Sequence, residues 1–145
     1  MKWFVRAILL AVGVGLVAVF VAAARIHPYD EDGVPRTMST HTQLGLPPCN
    51  FVVLTGKPCP SCGMTTSFAL LVRGDVTASL RANWVGTIIC TLWALTLVWS
   101  LGSALRGRML LIPRRPGAGE LTFSLITGTV VVLMLARWGA LLIAD

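Results

Sequence analysis

The sequence predicts an all-α integral membrane protein with three transmembrane helices and one or two short amphipathic helices in the loop between the first two. Hydrophobic residues make up 55% of the 145 residues and charged residues only 12%, whereas about 25% of the residues in a soluble domain are charged. The apolar residues are concentrated in three runs, each close to the length that crosses a bilayer. The composition therefore indicates membrane spans rather than a large soluble core.

The first apolar run covers residues 7–24 and carries no charge, which is close to the minimum for a spanning helix. A basic start and three alanines at 22–24 are also typical of a signal peptide. The run is longer than the usual signal core of about 7–15 residues. Residues 1–24 are therefore predicted to form an uncleaved N-terminal transmembrane anchor that resembles a signal sequence.

Residues 25–83 are predicted to form a long loop outside the cytoplasm. It contains the cysteine motif described below and a short apolar run, 51–54, that ends before a glycine. This run is too short to cross a membrane, and it is typical of a strand or of a segment that dips into the interface.

Two short helices are predicted at the end of this loop. The first is predicted to begin at Cys59 and Pro60, because proline is favoured at the first helical position, and to stop at Gly74. The second is predicted over 76–82 with Asp75 as its N-cap. Both run directly towards a membrane span, so they are predicted to lie on the outer membrane face or to pack on the helix bundle.

The second membrane helix is predicted over 84–105 and the third within 121–145, with an arginine-rich loop at 106–120 between them. Trp84 begins the second run, as expected for an interfacial anchor. The third run carries one charge, Arg137.

The distribution of basic residues predicts the topology. Lys2 and Arg6 precede the first run, and four arginines lie in 106–120, whereas the 25–83 loop has a nearly balanced charge. The positive-inside rule places the N-terminus and 106–120 in the cytoplasm, and the cysteine loop and C-terminus outside it. The net charge of +6 follows from these flanks and forms no aromatic-interleaved basic face, so nucleic-acid binding is not predicted.

The cysteines form the candidate site. Cys59 and Cys62 are three residues apart and would share a helix face. At a helix start, unpaired N–H groups and the dipole favour the Cys59 thiolate, which makes Cys59 the candidate nucleophile and Cys62 the candidate resolving thiol of a redox pair. Cys49 makes the exported cysteine count odd, which fits one pair plus a free thiol or three metal ligands.

Three interpretations of these residues stay open. A structural disulfide that staples an exported loop is the simplest, and the residues favour it. Redox-active thiols are the second. The third is a zinc or other transition-metal ion held by Cys49, Cys59, Cys62 and His41, although their spacing matches no standard finger. No other cofactor is predicted, and a non-enzymatic role is favoured over an enzyme.

Arg137 also has two interpretations. A charge within a span is costly and is by default a functional hint. Because Arg137 lies near the end of its run, its side chain can snorkel to the headgroups. Alternatively it reaches the cysteine pair, where its charge would stabilise a thiolate.

The cysteine motif resembles a known family. The residues concerned are Cys59, Pro60, Ser61, Cys62, Gly63, Met64, Thr65 and Thr66, preceded by Cys49 and followed by Arg73, Gly74, Asp75 and Asn83. This pattern resembles the hallmark CP-x-CG-x-TR of the bacterial membrane-protein family called domain of unknown function 2752. The resemblance implies a multi-pass protein of the bacterial inner membrane with a shared cysteine loop, and it carries no established activity. Thr66 stands where the family commonly has arginine, which makes Arg137 a candidate substitute.

The sequence thus predicts a multi-pass bacterial membrane protein whose exported Cys-Pro-x-Cys-Gly loop makes it a thiol-redox or disulfide-linked membrane component. The alternative is a non-catalytic membrane subunit that binds a metal ion or a partner protein through the loop carrying Cys49, Cys59 and Cys62. The predicted partners are the lipid bilayer and either another membrane protein or a second copy of the chain.

Overall fold

A computed structural model of the protein describes residues 2–110 and 118–144. Over these residues the secondary structure is helical and contains no strand. Three of the helices are long and apolar enough to cross a membrane. The predicted fold class is therefore confirmed: the protein is an all-α, multi-pass membrane protein with shorter helices between its spans.

The helices are α1 (Trp3–Arg25), α2 (Asn50–Thr55), α3 (Met64–Val72), α4 (Val76–Arg106) and α5 (Ala118–Ala144), and a 3-10 helix covers Thr40–Leu44. The long helices α1, α4 and α5 are the membrane-spanning candidates. Residues 111–117 of the predicted arginine-rich loop, including Arg114 and Arg115, lie outside the described residues.

Two short elements differ from what the sequence predicts. The run 51–54 lies within the helix α2, so the strand alternative is wrong, while a segment that dips into the interface stays a prediction. The turn of α2 closes with the N–H of Gly56 on the carbonyl of Val52 (2.9 Å). The next helix, α3, begins at Met64 rather than at Cys59 and Pro60. Both differences arise from contacts with remote parts of the chain, which the following subsection describes.

Helices α1 and α3 both pack against α4. One buried cluster joins Ala23 of α1, Phe68 of α3 and Cys90 of α4, and a second joins Leu70 of α3 to Ala82 of α4. Cys90 is 1% exposed and packs as a small apolar side chain. These clusters fix α3 on the first part of α4, so that the segment preceding α3 is held against α4 as well.

Small residues allow this close packing. A Cβ atom at Gly86 would collide with the hydroxyl of Ser67, so only glycine lets α4 approach α3 here. Beside it, the Ser79 hydroxyl donates to the Ser67 carbonyl (2.8 Å) and lies 2.7 Å from the Thr87 hydroxyl. Small residues and hydroxyl hydrogen bonds are the usual means by which membrane helices associate closely.

Hydrogen bonds fix the junction between α3 and α4 on both sides. The Asp75 carboxylate accepts the N–H of Ala78 (3.0 Å), which confirms its prediction as the N-cap of the next helix. The Arg73 guanidinium donates to the carbonyl of Ala24 (2.9 Å) at the end of α1. The three helices are therefore joined by packing and by end-on hydrogen bonds.

Helix α5 is attached differently. None of its membrane-spanning window is buried, and it packs against α4 over a limited area. Most of its surface is therefore free to face lipid. Arg137 and Trp138 of α5 donate hydrogen bonds to other described parts of the chain, and both lie beside the cysteine segment.

Candidate functional site

The cysteine segment, residues 58–63, is a pair of consecutive turns. The N–H of Cys62 donates to the carbonyl of Cys59 (3.0 Å), and the N–H of Met64 donates to the carbonyl of Ser61 (3.1 Å). Since α3 begins only at Met64, the turn rather than a shared helix face brings Cys59 and Cys62 together.

Gly63 explains where the turn ends. Its φ of +83° lies in the left-handed region, and an added Cβ would be 2.7 Å from the carbonyl oxygens of both Ala82 and Thr37. No other residue fits between these two backbone groups. Because of this close approach, Cys62 packs against the α3–α4 bundle. Helix α3 therefore begins at Met64, the residue directly after Gly63.

Asn83 fixes the same segment from the side of α4. It is 1% exposed, and its Nδ2 donates to the carbonyl of Cys62 (3.1 Å). Its Oδ1 accepts the N–H of Gly86 (3.0 Å), and its own backbone leaves the helical region, with φ −160° and ψ 99°. Asn83 therefore interrupts α4 and uses both ends of its amide to position the Cys62 backbone.

Three thiols meet at this point. The Sγ atoms of Cys59 and Cys62 lie 3.0 Å apart, and the N–H of Cys59 also donates to the Cys62 sulfur (3.1 Å). Cys49, which precedes α2, brings a third sulfur, and all three sulfurs lie within 4.8 Å of one another. The sulfurs of Cys59 and Cys62 are about 1 Å farther apart than in a disulfide, so a small rotation would bring them to bonding distance, and an oxidant that takes up two electrons and two protons would then close the disulfide.

The two paired thiols differ in acidity. Burial would raise the pKa of Cys59, but hydrogen bonds from the Cys62 thiol and the Ser61 hydroxyl oppose this effect, and Cys49 adds a further one. Together they lower the pKa of Cys59 to about 7. Burial and the hydrogen bond to Cys59 raise the pKa of Cys62 to about 12. At neutral pH, Cys59 is the thiol that carries the negative charge.

The thiols open into a cavity of about 430 Å³. His41 lines this cavity, but it does not belong to the compact group formed by the three sulfurs. The wall that carries His41 is held by Thr40, whose hydroxyl lies 2.9 Å from the Thr66 hydroxyl, and neither residue is exposed. Thr66, where the resemblance leads one to expect arginine, thus joins the 3-10 helix to α3.

Arg137 reaches the cysteine segment from α5. Its Nη2 donates to the carbonyl of Ala82 (3.1 Å), the same oxygen against which Gly63 packs. Its Nη1 is buried and has no hydrogen-bond partner among the described residues. The guanidinium is close enough to Cys62 and Cys59 for an electrostatic interaction with both.

Trp138 is a contact that the sequence does not reveal as part of the site. Its indole N–H donates to the carbonyl of Pro58 (2.9 Å), and its ring meets Phe51 of α2 edge-on at 5.9 Å. In the sequence, Trp138 has the ordinary features of an interfacial anchor. The only sequence feature that points to the site is the position of Trp138 directly after Arg137, which suggests that the two side chains lie near the cysteines together.

Comparison with known proteins gives one match. Residues 49–99 match the model of a family described as "Protein of unknown function (DUF2752)", which confirms the resemblance over that segment. The matched residues include all three thiols of the cluster and also Asn83, but not Arg137 or Trp138. No curated protein and no solved structure matches the chain.

Proposed function

We propose that this protein is a thiol–disulfide exchange component of the bacterial cytoplasmic membrane, with its cysteine segment on the extracytoplasmic side. The observation that carries the proposal is the pair Cys59 and Cys62, whose sulfurs lie 3.0 Å apart and differ strongly in acidity. An acidic, accessible thiol beside a protonated one is the arrangement that thiol–disulfide exchange requires.

The exchange would proceed in two steps. The Cys59 thiolate attacks one sulfur of a substrate disulfide, forms a mixed disulfide and releases the other substrate sulfur as a thiolate. Cys62 then gives up its proton and attacks the Cys59 sulfur, which closes the Cys59–Cys62 disulfide and releases the second substrate thiolate. Two electrons and two protons pass from the protein dithiol to the substrate, and the reverse sequence oxidises a substrate dithiol.

Arg137 supports this chemistry as a positioning residue. A buried N–H group without a partner is unfavourable, and each such group calls for an explanation. In the proposal, the Arg137 guanidinium, whose Nη1 has no hydrogen-bond partner among the described residues, stabilises the negative charge of the Cys59 thiolate through its electrostatic interaction with the cysteine pair.

Trapping of the mixed disulfide tests the proposal. Purified protein in detergent is treated with an uncharged aromatic disulfide and analysed by intact mass. We expect Cys62→Ser to accumulate a mixed disulfide on Cys59, because the resolving thiol is gone, and Cys59→Ser to react far more slowly. Cys90→Ser serves as the control, since Cys90 is buried within a span and outside the pair. Equal trapping in Cys59→Ser and Cys62→Ser contradicts the assigned roles, and no reaction in any variant contradicts the function.

A second candidate is a metal-binding subunit, which the position of Cys49 favours. Three thiolates around a zinc ion, with Zn–S bonds of about 2.3 Å, lie about 3.8 Å apart, and the three sulfurs here lie within 4.8 Å of one another. His41 in the cavity wall offers a fourth ligand. Native mass spectrometry after zinc loading distinguishes this candidate: one bound ion that is lost in Cys49→Ser supports it, and no retained ion excludes it.

A further inference from the structure

The cavity in front of the thiols has uncharged walls. Apart from the cysteines and His41, the described residues that line it carry only apolar or hydroxyl side chains, with no aspartate, glutamate, lysine or arginine among them. Its apolar wall consists of Leu46, Pro47, Pro48 and Val52. A charged group that enters such a cavity loses hydration without meeting an opposite charge.

The apolar wall is partly open to the surroundings. Leu46, which lines the cavity, is 52% exposed, so an apolar chain in contact with Leu46 can reach the cavity from outside. The cavity volume of about 430 Å³ falls within the usual range for sites that bind small ligands or short segments, so it suits a side chain with its neighbours and not a folded domain.

We infer that the substrate of this site is a cysteine within an uncharged, apolar stretch of polypeptide, and not a small charged thiol such as glutathione. The inference rests on the proposed thiol-exchange function. Glutathione brings carboxylates and an ammonium group next to its sulfur. The lining offers its carboxylates no lysine or arginine, since Arg137, which interacts with the cysteines from α5, is not among the lining residues. A polypeptide segment brings neutral amides that the hydroxyls of Ser39 and Thr65 in the lining can bind, together with apolar side chains that fit the opposite wall.

Matched probes test the inference on the full-length reduced protein in detergent. Each probe is a mixed disulfide between 2-thiopyridine and a cysteine compound: a short capped peptide with valines beside the cysteine, the same peptide with glutamates, the same with lysines, and glutathione. Attack by Cys59 forms the protein–probe disulfide and releases thiopyridine, whose absorbance gives the rate. Each rate is divided by the rate at which the same probe reacts with a small free thiol, which corrects for the intrinsic reactivity of the probe.

We expect the valine peptide to react at least about ten-fold faster than the other three probes after this correction, because only they must place a charge in the cavity. Equal corrected rates overturn the inference and leave the exchange function standing. A preference for the glutamate peptide and glutathione also overturns it, since simple attraction to the basic chain would explain that order. If none of the probes releases thiopyridine, the proposed function itself fails.

A variant of the cavity wall provides an independent test. Val52→Asp places a carboxylate on the lining, so the lysine peptide should gain on the valine peptide by about ten-fold. Val52→Ala, which changes size but not charge, should keep the wild-type order. An unchanged order in Val52→Asp means that the wall does not contact the substrate and overturns the inference. Should Val52→Asp fail to fold, the comparison of probes on the wild-type protein decides alone.

Discussion

Cys59 and Cys62 are chemically unequal although they stand symmetrically about Pro60 and Ser61. Cys59 receives hydrogen bonds that stabilise its thiolate, one of them from the Ser61 hydroxyl at 3.4 Å. Cys62 donates the hydrogen bond between the two thiols. Burial and the neighbouring cysteines oppose a negative charge on Cys62 and so raise its pKa. In the proposed exchange, this inequality makes Cys59 the attacking thiol and Cys62 the resolving thiol.

The pH dependence of alkylation tests this inequality. With the pKa of Cys59 lowered to about 7, its thiolate is present above pH 7 and is lost as the pH falls below 7. We expect the rate of Cys59 alkylation by iodoacetamide, in reduced and chelator-treated protein, to rise with pH and to level off above about pH 8. Peptide mapping by mass spectrometry identifies the modified thiol.

Ser61→Ala is the matched variant for this experiment. It removes one hydrogen bond to the Cys59 sulfur and should move the midpoint to higher pH without exposing Cys62. A wild-type midpoint near the ordinary value of about 8.5 for a free cysteine is the result that would rule out a stabilised thiolate.

At the level of single residues, the sequence predicts that Cys59 and Cys62 lie close together, but it attributes their unequal acidity to the wrong cause. The prediction relies on a helix that begins at Cys59, whereas α3 begins at Met64. The sequence could not show this, because the constraint on Gly63 comes from the carbonyls of Ala82 and Thr37, both remote in the chain. Asn83 is hidden for the same reason, since its partner is the Cys62 carbonyl.

Trp138 attaches helix α5 to the cysteine segment. It combines a hydrogen bond to the Pro58 carbonyl with a ring contact to Phe51. Arg137 adds a hydrogen bond from α5 to the Ala82 carbonyl of α4, whereas none of the membrane-spanning window of α5 is buried. The position of α5 and the geometry of the cysteine turn are thus coupled.

Substitutions at Trp138 test this coupling. Trp138→Phe removes the hydrogen bond and should lower the free energy of unfolding by about 1 kcal/mol. Trp138→Ala also removes the ring contact, which adds about 1 kcal/mol more. Unfolding in detergent with increasing dodecyl sulfate measures both. Phe123→Ala on the same helix, 72% exposed, should cause no change, and a Trp138→Ala variant as stable as the wild type would show that α5 does not depend on this contact.

At the level of elements, local signals are reliable where the cause is local. Asp75 caps α4 as predicted, because a carboxylate next to the first turn needs only its own N–H partners. The helix α2 is missed, because four apolar residues show no period of their own and the packing of Phe51 on Trp138 connects segments far apart in sequence.

Over the whole molecule, hydropathy and charge are the properties that can be read most directly from the sequence, because each depends only on which residues a segment contains. The three apolar runs are recovered as three helices long enough to span. The assembly of the site is not recoverable in this way. It requires α5, the last helix, to return to a turn that lies before α3, and no property of the separate segments specifies which ends meet.

The orientation of the whole molecule decides whether the thiols meet an oxidising compartment. The basic residues predict that Cys59 faces outwards, while the chain around Arg106 faces the cytoplasm.

A maleimide that does not cross membranes should label Cys59 in intact bacterial cells that express the protein after mild reduction. A single cysteine introduced at Arg108, in a variant that lacks the native cysteines, should be labelled only after the cells are permeabilised. In the protein that keeps its native cysteines, Cys90, buried within α4, should resist labelling in both intact and permeabilised cells. Labelling of the position-108 cysteine in intact cells, with Cys59 protected, would reverse the topology and leave the thiol pair in a reducing compartment, where a stable disulfide would not persist.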